Sequence, residues 1–280
     1  MAVPLETSSR TVPQMLAHMA AQKIDFSIPV DEGTLQDKSV LITGGANGLG
    51  ASCQRAFIEA GAQVTIADDD ADSGVRLENE AIEEDYESVA EVLPPSNRHQ
   101  AENISCRFVE TNVLSWSSQI NAFKTAIQFS RHKSIDVVIM AACFTAKLAF
   151  HYFCVPSKDG VQRWKSLILM GSLGGYIDMR NMVDHGSASF GIRGLFRGLR
   201  SLGEAREVAV NLVAPTYILQ QMPGDVIAQV AAAGIEFCRI DAVVNTILRL
   251  SSDLPISGTF QPSELVFSLL TKSLQAEPSL

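Results

Sequence analysis

The sequence predicts a doubly wound α/β fold, in which a mostly parallel sheet lies between two layers of helices. Short apolar runs alternate along the chain with longer segments whose apolar residues recur at helical spacing, and this alternation is typical of parallel sheets. A glycine-rich turn between the first strand and the first helix also indicates this fold. Six runs are expected to form buried strands: SVLIT (39–43), QVTIA (63–67), CRFVE (106–110), DVVIM (136–140), SLILM (166–170) and VAVNLV (208–213).

The chain is long enough for one large domain, because 280 residues of which 46% are hydrophobic can bury a full core. We expect this domain to cover residues 37–262. An extension over residues 1–36 precedes it, and a tail over residues 263–280 follows it. Apolar residues at helical spacing predict a docking helix in the extension: Val12, Met15, Leu16 and Met19.

Two segments of the domain depart from the alternating pattern. Residues 78–103 are acidic before Pro94 and Pro95, which predicts an exposed helix or loop inserted before the third strand. Pro262 stands where a central strand would not accept it, so the pattern leaves the last strand of the sheet open.

Charge and cysteine content restrict the function and the location of the protein. A formal net charge of −9 argues against nucleic acid or an anionic membrane as a partner, because both require a basic face. The five cysteines are scattered and form no CxxC pair, which predicts free thiols of a reducing compartment and no metal site. The N-terminus lacks the pattern of a signal peptide, so we expect a cytoplasmic protein.

The turn after the first predicted strand carries the strongest functional signal. Thr43 ends the strand, Gly44, Gly48 and Gly50 follow in TGGANGLG, and a helix begins at once. Glycines allow a tight turn whose N–H groups approach a pyrophosphate, and the helix N-terminus adds a positive dipole. Asp68 ends the second strand, where a carboxylate accepts hydrogen bonds from ribose hydroxyls. A Rossmann-like dinucleotide site is therefore expected. The negative charges of the following Asp69 and Asp70 favour NAD over NADP.

These residues resemble the short-chain dehydrogenase/reductase family. The turn matches the family's TGxxxGxG pattern, the segment GSLGGYID resembles the one that carries the catalytic serine, and NLVAPTYI resembles the loop beside the nicotinamide. The resemblance covers roughly residues 12 to 258 and is strongest toward fungal members of specialised metabolism, the 5′-hydroxyaverantin dehydrogenases among them. It implies a catalytic role for Ser172 and cofactor contacts from Thr43, Gly44, Asn47, Gly48, Leu49, Gly50, Asp68, Asn112, Val113, Ala142 and Pro215.

The sequence departs from the family at the residues that carry its chemistry. In the family a Tyr-x-x-x-Lys pair opens the helix after the serine segment, whereas this chain has His185 and Ser189 at the two positions. The link between Cys143 and Ser172 is also short, which predicts a shortened crossover and a more open cleft. By the same resemblance, Tyr176 is expected to line the substrate pocket.

Three functions remain open on these observations. The first is a divergent NAD(H)-dependent oxidoreductase for an alcohol or ketone of a polyketide-like metabolite, with His185 as proton donor and Ser172 as hydrogen-bond donor to the substrate oxygen. The second is a non-redox enzyme, such as a cyclase, isomerase or dehydratase. The third is an inactive relative that binds the cofactor. The glycines of the helix over 185–203, together with the family's dimers, predict a homo-oligomer through that helix.

Overall fold

The computed structural model describes residues 30–92, 104–140, 143–178, 182–219, 222, 224–232, 237–252 and 258–260. The predicted docking helix and the tail over 263–280 lie outside these residues. The described residues form alternating strands and helices, so the predicted α/β class is confirmed. None of the described helices is long and apolar enough to cross a membrane.

Seven strands form one sheet in the order β3-β2-β1-β4-β5-β6-β7, and every pairing between neighbours is parallel. All six predicted strands are present, with ends that differ from the prediction by at most one residue. The short seventh strand pairs with β6 and is the last strand on that side of the sheet, the strand that the sequence pattern left open. The strands are β1 (Ser39–Thr43), β2 (Gln63–Asp68), β3 (Cys106–Glu110), β4 (Val137–Met140), β5 (Lys165–Met170), β6 (Val208–Val213) and β7 (Gly258–Phe260).

Seven α-helices connect the strands within the described residues, and two 3-10 turns accompany them. The α-helices are α1 (Gly48–Glu59), α2 (Ala71–Val92), α3 (Trp116–Phe129), α4 (Cys143–Tyr152), α5 (Val183–Ala205), α6 (Gly224–Ala232) and α7 (Ile240–Ser251). The 3-10 turns cover Glu32–Leu35 and Leu173–Gly175. The second of these turns follows β5 and carries the serine segment.

The core consists of two apolar clusters, one on each face of the sheet. Successive side chains of a strand point to opposite faces, so Val40 and Ile42 of β1 belong to one cluster and Leu41 belongs to the other. Helices α1, α2 and α7 cover the first face, whereas α3, α4 and α5 cover the second. Burial on both faces explains why the strands read as continuous apolar runs in the sequence.

Part of the acidic segment 78–103, predicted as an exposed helix or loop inserted before the third strand, is described by the structure. Residues 78–92 continue helix α2, which begins at Ala71, and residues 93–103 lie outside the described residues. Leu77 and Ala81 of this helix are buried against the sheet. The same helix exposes Glu83 and Glu84. The segment therefore begins as part of a crossover helix that packs on the sheet.

The crossover between β4 and β5 is short, as the sequence predicts. Its helix α4 has ten residues, and Ala146, Leu148 and Ala149 of that helix are buried against the sheet. Gln119 of α3 links the start of this helix to the loop after β3, because its side chain accepts from the hydroxyl of Thr145 and donates to the carbonyl of Val113. The short helix therefore still completes a parallel connection.

The strand order reverses between β1 and β4, because β2 and β3 lie on one side of β1 and the later strands lie on the other. In open parallel sheets, ligands bind in the crevice at such a reversal, beyond the carboxyl ends of the strands. The glycine turn follows β1, Ser172 follows β5, and Pro215 follows β6. The fold thus brings the predicted site segments to one edge of the sheet.

Candidate active site

The glycine turn between β1 and α1 has a backbone that favours glycine at several positions. Gly44 has φ of 70° and Gly48 has φ of 51°, both in the left-handed region. A Cβ atom on Gly50 would lie 2.0 Å from the carbonyl oxygen of Gly44. A Cβ atom on Gly44, by contrast, would meet no described atom within 4 Å. The turn is therefore tightly closed on its inner side and open on the outer side, as a pyrophosphate requires.

Asp68 joins the end of β2 to this turn. Its Oδ2 accepts a hydrogen bond of 2.9 Å from the backbone N–H of Ala46, and its Oδ1 accepts one of 3.1 Å from the N–H of Asp70. The backbone N–H of Thr111 in turn donates to the carbonyl oxygen of Asp68 at 2.7 Å. These contacts fix the carboxylate beside the turn, where the sequence predicts a ribose contact.

A second carboxylate lies at the same place. Asp70 accepts hydrogen bonds from the N–H of Ser73 at 3.1 Å and from the side-chain amide of Asn47 at 2.8 Å. The hydrogen bonds from Ser73 and Asn47 lower the pKa of the partly exposed Asp70 carboxyl, which favours its charged form. The turn thus carries negative charge where an adenosine ribose would bind. The residues present fit the pyrophosphate and the adenosine half of a dinucleotide.

The other predicted cofactor residues follow the carboxyl ends of β1 and β3 or line the nearby cavity. The hydroxyl of Thr43 donates to the carbonyl of Ile139 in β4 at 3.4 Å. Asn112 is exposed, and its Oδ1 accepts from the N–H of Leu114 at 2.8 Å, so its amide closes the turn after β3 together with Val113. Ala142 lies outside the described residues.

The two predicted catalytic residues are in direct contact. Nε2 of His185 lies 3.0 Å from Oγ of Ser172, although the two residues belong to different elements. Ser172 is the N-cap of the 3-10 turn after β5, and its Oγ also accepts from the N–H of Gly174 at 3.1 Å. His185 lies in the first turn of α5. An imidazole at this distance can exchange a proton with the serine hydroxyl.

Both residues line a cavity of about 360 Å³ at the carboxyl edge of the sheet. Leu49 of the glycine helix and Pro215 also line it, so the cavity adjoins the turn as the sequence predicts. Its other described walls are mostly apolar, and they include no lysine or arginine. The remaining lining residues are Met170, Gly171, Leu173, Gly174, Ile177, Met182, Thr216, Tyr217, Ile218 and Met222.

The expectation that Tyr176 lines the substrate pocket is wrong, because its ring lies elsewhere. Tyr176 packs against the core cluster of the second face, and the guanidinium of Arg193 lies 4.2 Å from its ring centroid. The tyrosine that lines the cavity is Tyr217. The family pattern fixes the position of the serine but not the direction of a side chain four residues later.

Two further polar residues of the cavity wall were not predicted. Thr216 and Tyr217 directly follow Pro215 in NLVAPTYI, so their closeness to a predicted site residue was the available signal. The Oγ1 atom of Thr216 is buried and has no hydrogen-bond partner among the described residues. A buried hydroxyl without a partner is costly, and a bound ligand would relieve that cost.

The family's lysine position is occupied by a residue that carries no charge. Ser189 is buried within α5, and a Cβ atom on Gly175 would lie 2.8 Å from its carbonyl oxygen. Helix α5 therefore packs closely on the serine turn. Arg193 strengthens this contact, since its Nη1 donates to the carbonyl of Gly175 at 2.9 Å. This arginine does not line the cavity.

The cysteines and other metal-ligand side chains show no second site in the described part of the chain. All five cysteines are free thiols, and burial raises the pKa of Cys53 to about 12, which keeps that thiol protonated. No group of three or more His, Cys, Asp or Glu side chains is placed to hold a metal ion within the described ranges.

Comparisons with known proteins match the geometry. A family model described as short chain dehydrogenase matches residues 38–231. The chain is 29% identical to the 5′-hydroxyaverantin dehydrogenase of Dothistroma septosporum, over 75% of this chain and 77% of that protein. It is 28% identical to the NADP-dependent dehydrogenase clz5 of Cochliobolus lunatus, over 70% of this chain and 76% of that protein. The solved structure of 3-hydroxyacyl-CoA dehydrogenase type-2 from Mycobacterium avium shares the fold, with a TM-score of 0.59, 19% identity and coverage of 81% of this chain and 95% of that one.

Proposed function

We propose that this chain, which belongs to the short-chain dehydrogenase family, is a nicotinamide-dependent oxidoreductase for an alcohol or ketone of a specialised, polyketide-like metabolite. The observation that carries the proposal is the contact of 3.0 Å between His185 Nε2 and Ser172 Oγ in a cavity beside the glycine turn. The name of the relative in Dothistroma septosporum, a 5′-hydroxyaverantin dehydrogenase, supports the class of substrate.

The proposed chemistry divides the reaction between the cofactor and the two side chains. A bound nicotinamide supplies or accepts the hydride. His185 gives a proton to the developing alkoxide during reduction and takes it back during oxidation, the role that the family assigns to tyrosine. The Ser172 hydroxyl donates a hydrogen bond to the substrate oxygen and orients it toward His185. Ser189 occupies the position of the family's lysine, and no lysine among the described residues lines the cavity that holds this pair.

We propose NAD as the preferred cofactor. Asp68 and Asp70 both approach the glycine turn, and the lowered pKa of Asp70 keeps its carboxylate charged. A 2′-phosphate on the ribose would be repelled by these charges, whereas ribose hydroxyls can donate to them. The relative in Cochliobolus lunatus is named as NADP-dependent, so the preference of this chain needs direct measurement.

The cavity wall favours an uncharged, largely apolar substrate. Met170, Met182 and Met222 line it, and methionine adapts its shape to flat or irregular ligands. The described lining residues include no lysine, arginine, aspartate or glutamate. A substrate with a carboxylate or a phosphate would therefore lack a cationic partner there.

The test is a pair of titrations followed by a turnover assay. NADH and NADPH are titrated against the protein by fluorescence, and we expect NADH to bind more tightly. Aromatic polycyclic ketones are then supplied with NADH, and its absorbance is followed. His185→Gln is expected to lower turnover by about 10²- to 10⁴-fold with unchanged NADH affinity. His151→Gln, which changes an exposed histidine of α4, is the control. Full activity in His185→Gln would remove His185 from the mechanism.

One observation favours a second function. The serine at the lysine position leaves the nicotinamide ribose without the family's ammonium group, which weakens the case for hydride transfer. A non-redox enzyme, such as a cyclase, isomerase or dehydratase, would need only the acid–base pair of Ser172 and His185. Product formation without net oxidation of NADH would favour it. NADH binding without any product would favour a cofactor-binding relative that has lost turnover.

We also propose that a second copy of this chain packs on the 185–203 part of helix α5. Cβ atoms on Gly191, Gly194 and Gly198 would meet no described atom within 4 Å, so the helix surface beside them is open. Phe190 and Leu202 expose 47% and 38% of their surface on the same helix. Glycines beside exposed apolar side chains allow close approach of a second helix.

A further inference from the structure

The pair of Ser172 and His185 has a chemical property that a serine–tyrosine pair lacks. A neutral imidazole can accept a proton from a serine hydroxyl near neutral pH, whereas a protonated phenol cannot act as that base. The distance of 3.0 Å between His185 Nε2 and Ser172 Oγ lies within the range that a nucleophile and its base require. Replacement of the family's tyrosine by histidine therefore creates the geometry of a nucleophilic serine.

The backbone around Ser172 orients its hydroxyl for this role. The N–H of Gly174 donates to Oγ at 3.1 Å, so one lone pair of the oxygen is already engaged. The hydroxyl proton is then free to point toward His185 Nε2. The same N–H stabilises negative charge that develops on the oxygen as the proton leaves.

Arg193 fixes the serine turn on the helix that carries the histidine. Its guanidinium donates to the carbonyl of Gly175 at 2.9 Å and covers the ring of Tyr176 at 4.2 Å. Both contacted residues lie within four positions of Ser172, and Arg193 lies two helical turns beyond His185. The distance between the two reacting side chains is thus held by packing on both elements.

Thr216 adds a hydrogen-bond donor to the same cavity. Its Oγ1 is buried and has no partner among the described residues, and Thr216 is one of the residues that line the cavity together with Ser172 and His185. A carbonyl oxygen of a ligand would supply the missing partner. Such a donor stabilises the oxyanion that forms when a nucleophile attacks the carbonyl carbon.

We propose that Ser172 is a nucleophile that accepts an acyl group from an ester, with His185 as its base. The serine oxygen bonds to the carbonyl carbon while its proton moves to His185 Nε2. The bond between the carbonyl carbon and the leaving oxygen then breaks, and the alcohol departs with that proton. Water attacks the acyl-serine with His185 again as base, which releases the carboxylic acid and restores the hydroxyl. No carbon is oxidised or reduced, so this activity needs no nicotinamide.

The cavity selects the class of ester. Its described walls are mostly apolar, and its volume of about 360 Å³ suits a small ligand. No lysine or arginine among the described lining residues would hold a carboxylate or a phosphate. The substrate is therefore a neutral ester with a short apolar acyl chain.

A fluorophosphonate probe tests the nucleophile directly, because it labels activated serines covalently. The wild-type chain is treated without cofactor, and the modified residue is identified by peptide mass spectrometry. We expect label on Ser172 and none on Ser187, an exposed serine at the start of the same helix. In His185→Gln, which keeps Ser172, the labelling rate is expected to fall at least about 100-fold. His151→Gln is expected to label at the wild-type rate.

Hydrolysis of p-nitrophenyl butyrate gives a second readout. We expect turnover in the absence of NADH, and we expect it to fall at least about tenfold in Thr216→Val. Absence of label on Ser172, or equal labelling in His185→Gln, would overturn the proposal. Because neither assay involves hydride transfer, these results are independent of the oxidoreductase test, and either activity can fail alone.

Discussion

The two edges of the sheet hold carboxylates in opposite ways. At the carboxyl edge, Asp68 and Asp70 accept hydrogen bonds from the backbone and from Asn47, and Asp70 remains partly exposed. At the amino edge, Asp136 is fully buried just before β4. It accepts from the N–H of Ser39 at 2.9 Å and pairs with side chains on both of its oxygens.

The partners of Asp136 join three strands. Lys165 of β5 lies 2.8 Å from its Oδ1, and His132 lies 3.0 Å from its Oδ2, while Ser39 belongs to β1. Burial alone would raise the pKa of this carboxyl, but the hydrogen bond from His132 and the charge of Lys165 outweigh it and lower the pKa. Charge at the amino edge is therefore neutralised inside the fold, whereas charge at the carboxyl edge stays within reach of a ligand. We therefore expect substitutions at the amino edge to change stability, and substitutions at the carboxyl edge to change ligand binding.

The largest effect is expected from Asp136→Asn. It leaves Lys165 and His132 without their buried carboxylate, so the free energy of unfolding should fall by about 3 kcal/mol at pH 7. Since folding lowers the pKa of Asp136, the carboxylate stabilises the fold above about pH 4 and loses this effect as the pH falls through its folded-state value. The free energy of unfolding of the variant should therefore fall less steeply in acid than that of the wild type.

Urea unfolding at pH 7, and at pH values stepped from about 4 down to about 2, measures both effects, because the stabilisation is lost only as the pH falls through the lowered pKa of Asp136. Asp159→Asn, which breaks an exposed ion pair with Arg163, serves as the control and should change the free energy of unfolding far less. NADH affinity in the folded Asp136→Asn protein should equal that of the wild type. A weaker NADH affinity in the folded Asp136→Asn protein would show that the two edges are not independent.

The next effect in size is the converse, and it concerns the glycine turn. In Gly50→Ala the new Cβ atom would lie 2.0 Å from the carbonyl oxygen of Gly44, so the backbone of the turn must move. Strain of about 1–3 kcal/mol at this point predicts a loss of NADH affinity of roughly 10- to 100-fold. Gly224→Ala, whose Cβ meets no described atom within 4 Å, is the matched control. Wild-type affinity in Gly50→Ala would mean that the turn does not hold the cofactor.

The residues that could be predicted from the sequence are those fixed by local patterns. The glycine turn and all six predicted strands follow from spacing within a few residues. Ser172 and His185 were identified by the family pattern, but their contact depends on how the turn after β5 packs against α5. Tyr176 was placed wrongly for the same reason, since Arg193 holds its ring outside the cavity wall.

The ion pairs of the amino edge could not be predicted from the sequence. Asp136 lies just before β4, Lys165 opens β5, and neither belongs to a motif, so only the pairing of β4 with β5 brings them together. Thr216 directly follows the predicted Pro215, but its unsatisfied hydroxyl depends on the packing around it and cannot be predicted from the sequence. Features that depend on tertiary contacts between distant segments have no local signal.

The smallest effect concerns helix α5, which begins beside the carboxyl edge with His185 in its first turn. In an isolated chain, Gly194→Ala should raise the free energy of unfolding by about 1 kcal/mol, because alanine is the better helix former and its Cβ meets no described atom within 4 Å. If a second copy packs on this face, the added methyl group separates the two helices. We then expect the dissociation constant of the dimer to rise about tenfold.

Sedimentation equilibrium over a range of protein concentrations distinguishes these outcomes, with Gly224→Ala as the control outside the helix. A higher dissociation constant together with unchanged turnover per folded chain would support the proposed interface. A more stable chain with unchanged oligomeric state would mean that the glycines of α5 face solvent. In that case the proposal of a second copy on 185–203 fails.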